Sequence, residues 1–91
     1  MNNQTLPDKN KPPDTSGLIR AGNNRYIKPT KDGLIFFSYS MPVIVIQNNR
    51  VYKTSEFFSI TTSRHITEFL KSINCDNPET LDRSIFNSLA E

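Results

Sequence analysis

At 91 residues, with 11 Lys and Arg against 9 Asp and Glu, the chain is long enough for one domain and too weakly basic to announce nucleic acid through its net charge of +2. A lone cysteine, Cys75, excludes an internal disulfide and a thiolate zinc cluster, and points to a reducing compartment. Neither a basic-then-apolar leader nor an apolar run of membrane-spanning length is visible, so a cytoplasmic protein with no membrane partner is expected.

Charge is unevenly spread. Residues 1–33 carry Lys9, Lys11, Arg20, Arg25, Lys28 and Lys31 against three aspartates, whereas residues 73–91 set Arg83 alone against Asp76, Glu79, Asp82 and Glu91. That gradient would turn the front and middle of the molecule toward an anionic surface, although a solvated face is the commoner explanation of such a distribution. Residues 1–17 are Asn, Gln, Pro, Asp, Lys and Thr with Met1 and Leu6 as the only large apolar side chains, too little to offset the entropy of ordering. They are read as a disordered arm, and residues 18–91 as a single small α+β domain.

Arg25 to Lys28 reads as a short strand and Lys28 to Gly33 as a turn with its glycine last. The aromatic and β-branched run Leu34 to Tyr39 is the next strand. Residues 43–54 form a hairpin around Asn48 and Asn49, both able to take positive φ. A two-residue turn there pairs Ile46 with Val51, Ile44 with Lys53 and Val45 with Tyr52. From Thr62 the period changes: Ile66, Phe69, Leu70 and Ile73 make one helical stripe, with Thr62 or Ser63 as its N-cap. A second helix is expected after Asn77, with Pro78 in its first turn and Leu81, Ile85 and Leu89 on its buried face beside Phe86. The predicted architecture is therefore a small antiparallel sheet, hairpin 43–54 plus strand 34–39, followed by two C-terminal helices packed as a pair.

The stretch 35–70 carries a recognisable pattern. Phe37-Ser38-Tyr39, Pro42-Val43, Asn49, Val51-Tyr52, Phe58-Ser59 and Thr61-Thr62-Ser63-Arg64-His65 followed by Phe69-Leu70 resemble a small domain of unknown function met in bacteriophage and mobile-element proteins. Met41 and Ile44 depart from that pattern, which has Thr and Ala there. The resemblance implies a phage or mobile-element origin, and hence the host cytoplasm, but brings no activity with it.

Two surfaces are candidates for function. Thr61, Thr62, Ser63, Arg64 and His65 place hydroxyls, a guanidinium and an imidazole at a helix start, a combination that suits a phosphate or carboxylate; Arg50 and Lys53 add charge for nucleic acid. The same residues also serve as caps, with His65 on a neighbouring carbonyl and Arg64 reaching Glu68 one turn on. Tyr39, Tyr52, Phe57 and Phe58 are the second candidate, an aromatic surface for a host protein, with most of them in the core as the alternative. No nucleophile-base-acid set, glycine-rich phosphate loop or metal-spaced ligand group is present in the sequence, so no catalytic residue, metal or cofactor is expected. The leading expectation is a non-enzymatic accessory protein that binds nucleic acid; the alternative is a protein-binding modulator of a host machine. The small buried surface also makes a homodimer a natural route to added stability.

Overall fold

The turn chemistry of the chain builds a larger sheet than its hydrophobic runs suggest. In the computed structural model, which describes residues 17–90, five strands form an antiparallel meander. They are β1 (Ile19–Gly22), β2 (Arg25–Thr30), β3 (Gly33–Ser38), β4 (Met41–Gln47) and β5 (Arg50–Thr54). After α1 (Ile60–Ser72), β6 (Glu79–Leu81) adds in parallel beside β5, and α2 (Arg83–Leu89) follows. The domain is α+β with a six-stranded mixed sheet. The arm expected over residues 1–17 lies, apart from Gly17, outside the described residues.

Each meander link is a two-residue turn, and Asn supplies much of the left-handed backbone these turns need. Asn24 has φ 58°, and Asn48 and Asn49 have φ 54° and 66°. The hairpin register is the one expected, with Ile46 opposite Val51, Val45 opposite Tyr52 and Ile44 opposite Lys53. Gly33 opens β3 for a steric reason. A Cβ at that position would sit on the Ile46 carbonyl oxygen. Gly33→Ala is expected to force β3 and β4 apart and to lower stability by about 1–3 kcal/mol, the usual cost of overpacking, measured as a shift in urea midpoint at unchanged slope.

Alternation along β3 assigns the two faces. Ile35 and Phe37 look toward α2 and pack with Val45, Leu81, Phe86 and Leu89, while Leu34 and Phe36 look toward α1 and pack with Ile44, Ile66, Phe69 and Leu70. A register shift after Phe36 leaves Val43 as the extra residue of a bulge, and both Val43 and Ile44 are buried on the α1 side. The bulge also accommodates Pro42 opposite Phe37, where a regular ladder position would lack a donor. Phe36 and Phe69 stack at 4.3 Å between ring centroids, which fixes α1 along the sheet.

Several expectations require correction. The helices do not pair, since they pack on opposite faces of the sheet, and they are not both C-terminal to it, because α1 is the crossover joining the parallel neighbours β5 and β6. The segment expected to start the second helix is instead β6. Pro78 breaks the chain rather than opening a helix, and Asp82 is the N-cap, its side chain accepting from Ile85 N at 3.0 Å. Ile85 consequently points outward and Phe86 anchors α2. The first helix begins earlier than expected, capped by Ser59, whose Oγ accepts from Thr62 N. Its C-terminus is a Schellman turn, with Asn74 at φ 57°, Cys75 N donating to Leu70 O and Asn74 N to Lys71 O. Strand 34–39 ends at Ser38, and Tyr39 belongs to the turn.

Candidate functional site

With Ser59 as the cap, Arg64 and His65 fall one turn inside α1 rather than at its open end. The five residues of the expected anion corner therefore divide by helical phase. Thr61 and Arg64 are exposed and Ser63 is half-buried, while Thr62 and His65 are buried against the sheet. Ser59 also takes the first backbone donors, accepting from Thr62 N through its side chain and from Ser63 N through its carbonyl. Arg50 adjoins the 48–49 turn, at the end of the sheet opposite the start of α1, and Lys53 is half-buried one residue before the end of β5. The fold thus keeps Arg50 away from the helix start, whereas Lys53, opposite Ile44 and next to the end of β5, lies on the α1 face of the sheet.

The inward residues form a polar knot that sequence reasoning missed. Ser38, the one hydroxyl on a β3 face otherwise occupied by Leu34 and Phe36, lies 3.0 Å from Thr62 Oγ1 and 2.8 Å from His65 Nδ1, all three side chains being buried. Two proton arrangements satisfy it: Thr62 donates to Ser38 and Ser38 to Nδ1, or Nδ1–H donates to Ser38 and Ser38 to Thr62. Beside the knot, Arg25 Nη1 donates to Glu68 Oε1 at 2.9 Å, joining β2 to α1, so Glu68 is held by Arg25 rather than by Arg64. A serine within 2.8 Å of a histidine resembles a nucleophile and its base. Ser38, however, is fully buried, and no carboxylate hydrogen-bonds to His65 among the described residues, so the pair has neither access nor an orienting acid. Its visible work is to fix α1 on the sheet. A signal was available: Thr62 and His65 lie three residues apart on one helix face, opposite a lone serine in an apolar alternation.

Burial pushes the His65 pKa below its usual 6.5, Arg25 pushes it further the same way, and Arg64 contributes less than the partial compensation from Glu68. A histidine whose folded pKa is depressed contributes stability that is present above the unfolded value and is lost as pH falls below it toward the folded value. His65 is the chain's only histidine. The urea midpoint is therefore expected to drop between pH 7.5 and 5.5 in the native protein and to stay nearly flat over that window in His65→Gln.

Apolar residues left outside the core collect at one end of the sheet. Antiparallel order places the 23–24 and 39–40 turns, the 55–59 connection and the starts of both helices together there. The hydrogen bond from Tyr39 N to Asn24 O, that from Ser55 N to Leu81 O, and the 3.5 Å Arg83–Glu56 ion pair tie these pieces to one another. Tyr39, Met41, Phe57, Ile60 and Ile85 all belong to this end, and Phe57 and Ile60 are 70% and 74% exposed. Tyr39 holds φ 58°, a costly conformation for an aromatic residue, with its ring 5.9 Å from that of His65. Of the four expected partner-binding aromatics, Tyr39 and Phe57 are presented here. Phe58 packs into the α1-side core, and Tyr52 is half-buried between Val45 and Glu79.

Among the described residues, no group of three His, Cys, Asp or Glu side chains is placed to hold a metal ion, and no helix is long and apolar enough to cross a membrane. Fold and surface together define a small α+β domain with an apolar end. The chain belongs to a family described as "Family of unknown function (DUF8033)", whose model matches residues 4–88. No curated protein and no solved structure matches it.

Proposed function

We propose that this chain is a non-enzymatic accessory protein of a phage or mobile element that binds a host protein through the apolar end of its sheet. The observation that carries the proposal is the location of the exposed large hydrophobics. Of the six such residues described, all but Ile19 belong to this end. Apolar residues left in water cost solubility unless something covers them, and their concentration in one place marks an interaction surface rather than scattered exposure. Two of the cations at this end are held in ion pairs, Arg25 by Glu68 and Arg83 by Glu56, and Asp82 adds a carboxylate to set against Lys53 and Arg64, so the end carries both signs of charge rather than a basic stripe. A nucleic-acid reading draws instead on Arg50, Lys53, Arg64 and His65, of which Arg50 lies at the turn of the opposite end and His65 is buried against the sheet.

The test is capture of partners from host extract by tagged protein, with and without nuclease, using the native chain and Phe57→Ser/Ile60→Ser. A stoichiometric, nuclease-resistant protein held by the native chain and released by the double variant is the expected result. Recovery of nucleic acid, or of partners that vanish with nuclease and survive the double substitution, would overturn the proposal in favour of nucleic-acid binding.

A further inference from the structure

A concavity lies in the seam between β2 and α1, on the α1 face of the sheet. It measures about 220 Å³ and is lined by Ala21, Arg25, Ile27, Phe36, His65, Glu68, Phe69 and Ser72. That is smaller than the roughly 300–1,000 Å³ of pockets for drug-sized ligands, so its natural occupant is of single-ring size. Its lining is divided in character. Ile27, Phe36 and Phe69 supply an apolar floor, and Arg25, His65 and Glu68 supply charge and hydrogen bonds at the rim.

The rim has unspent capacity. Arg25 uses Nη1 on Glu68, while its Nε is buried with no hydrogen-bond partner among the described residues. A buried guanidinium N–H without an acceptor is costly, and an acceptor atom arriving in the groove answers it. The placement is built into the backbone. Gly22, at φ 151°, leaves the room in which the guanidinium sits, since a Cβ there would collide with Arg25 Cζ and Nε. His65 also lines the groove, and with Nδ1 spent on Ser38 its Nε2 is the ring nitrogen left to bond there. The charged groups facing the imidazole are Arg25 and Arg64 against Glu68, and Glu68 is already paired with Arg25.

We propose that this groove binds a small aromatic carboxylate, its ring against Ile27, Phe36 and Phe69 and its carboxylate accepting from Arg25 and His65. The site stands on different residues from the exposed hydrophobics of the apolar end, so either proposal can fail alone. Benzoate is the probe, with benzamide as the neutral isostere and acetate as the ringless anion, each titrated into the ¹⁵N-labelled full chain while backbone amide shifts are followed by NMR. Benzoate is expected to give saturable shifts confined to residues 21–27 and 65–72 in the millimolar range, and to raise the His65 titration midpoint by placing a negative charge beside it. Arg25→Gln is expected to weaken benzoate by about 10–100-fold, the loss of a charged hydrogen bond. Because Arg25 also joins β2 to α1, a second variant, Ala21→Leu, fills the groove from the exposed edge strand while leaving the ion pair in place, and it too is expected to abolish the shifts. Shifts that are absent, that benzamide or acetate reproduces, or that persist in Ala21→Leu would overturn the proposal.

Discussion

Phe36→Ala is expected to remove a large part of the stability of this domain. The ring is 2% exposed on the β3 face under α1, stacked on Phe69 and packed with Val43 and Ile44. Truncating a buried phenylalanine costs about 3–5 kcal/mol, because the lost transfer free energy is joined by a cavity the surroundings fill only in part. Folded domains hold about 0.05–0.15 kcal/mol per residue, so a chain of 91 residues has roughly 5–14 kcal/mol in total. Such a loss should move the denaturation midpoint far down at unchanged slope, and chemical denaturation followed by circular dichroism would measure it. Phe57→Ala is the matched control: the same truncation at a 70% exposed site is expected to change stability by no more than about 0.5 kcal/mol. Equal losses in the two variants would mean that the division between core and apolar end is misdrawn.

The second large effect concerns binding. Phe57 and Ile60 flank the Ser59 cap, one in the connection after β5 and one at the first position of α1, and neither belongs to a core cluster. Replacing both with serine should leave the denaturation midpoint nearly where it was. If these two side chains anchor the partner, truncating them costs about 2–4 kcal/mol of binding, equivalent to a loss of about 30–1,000-fold in affinity. Salt separates this from an electrostatic interface. Affinity through an apolar surface is expected to change little on raising ionic strength, whereas binding through Arg50, Lys53 and Arg64 would weaken steeply.

Much of the local structure was legible in the sequence because it follows from local chemistry. Asn48 and Asn49 fixed the hairpin and its register, and the spacing of Ile66, Phe69 and Leu70 marked the inward face of α1. Global arrangement was less visible. β6 has three residues, too few for any period to register, and its pairing with β5 depends on a crossover that only tertiary packing selects. β1, made of Ile19, Arg20, Ala21 and Gly22, is an edge strand with no alternation to betray it. Capping residues were plentiful before α1, so Ser59 competed with Thr62 and Ser63, and a shift of three residues moved Arg64 and His65 off the helix start. That shift is why the hydroxyl-rich motif now contributes Thr62 and His65 to a buried knot with Ser38.

Hydrogen exchange of the partner-bound protein tests the central claim most directly, since it reads the covered surface residue by residue in the intact chain. Added protection over Tyr39 to Met41 and Glu56 to Thr61, with the 31–32 and 48–49 turns unchanged, is the result this account predicts. Protection centred on Lys31, Arg50 and Lys53, with Phe57 and Ile60 still exchanging freely, would contradict it.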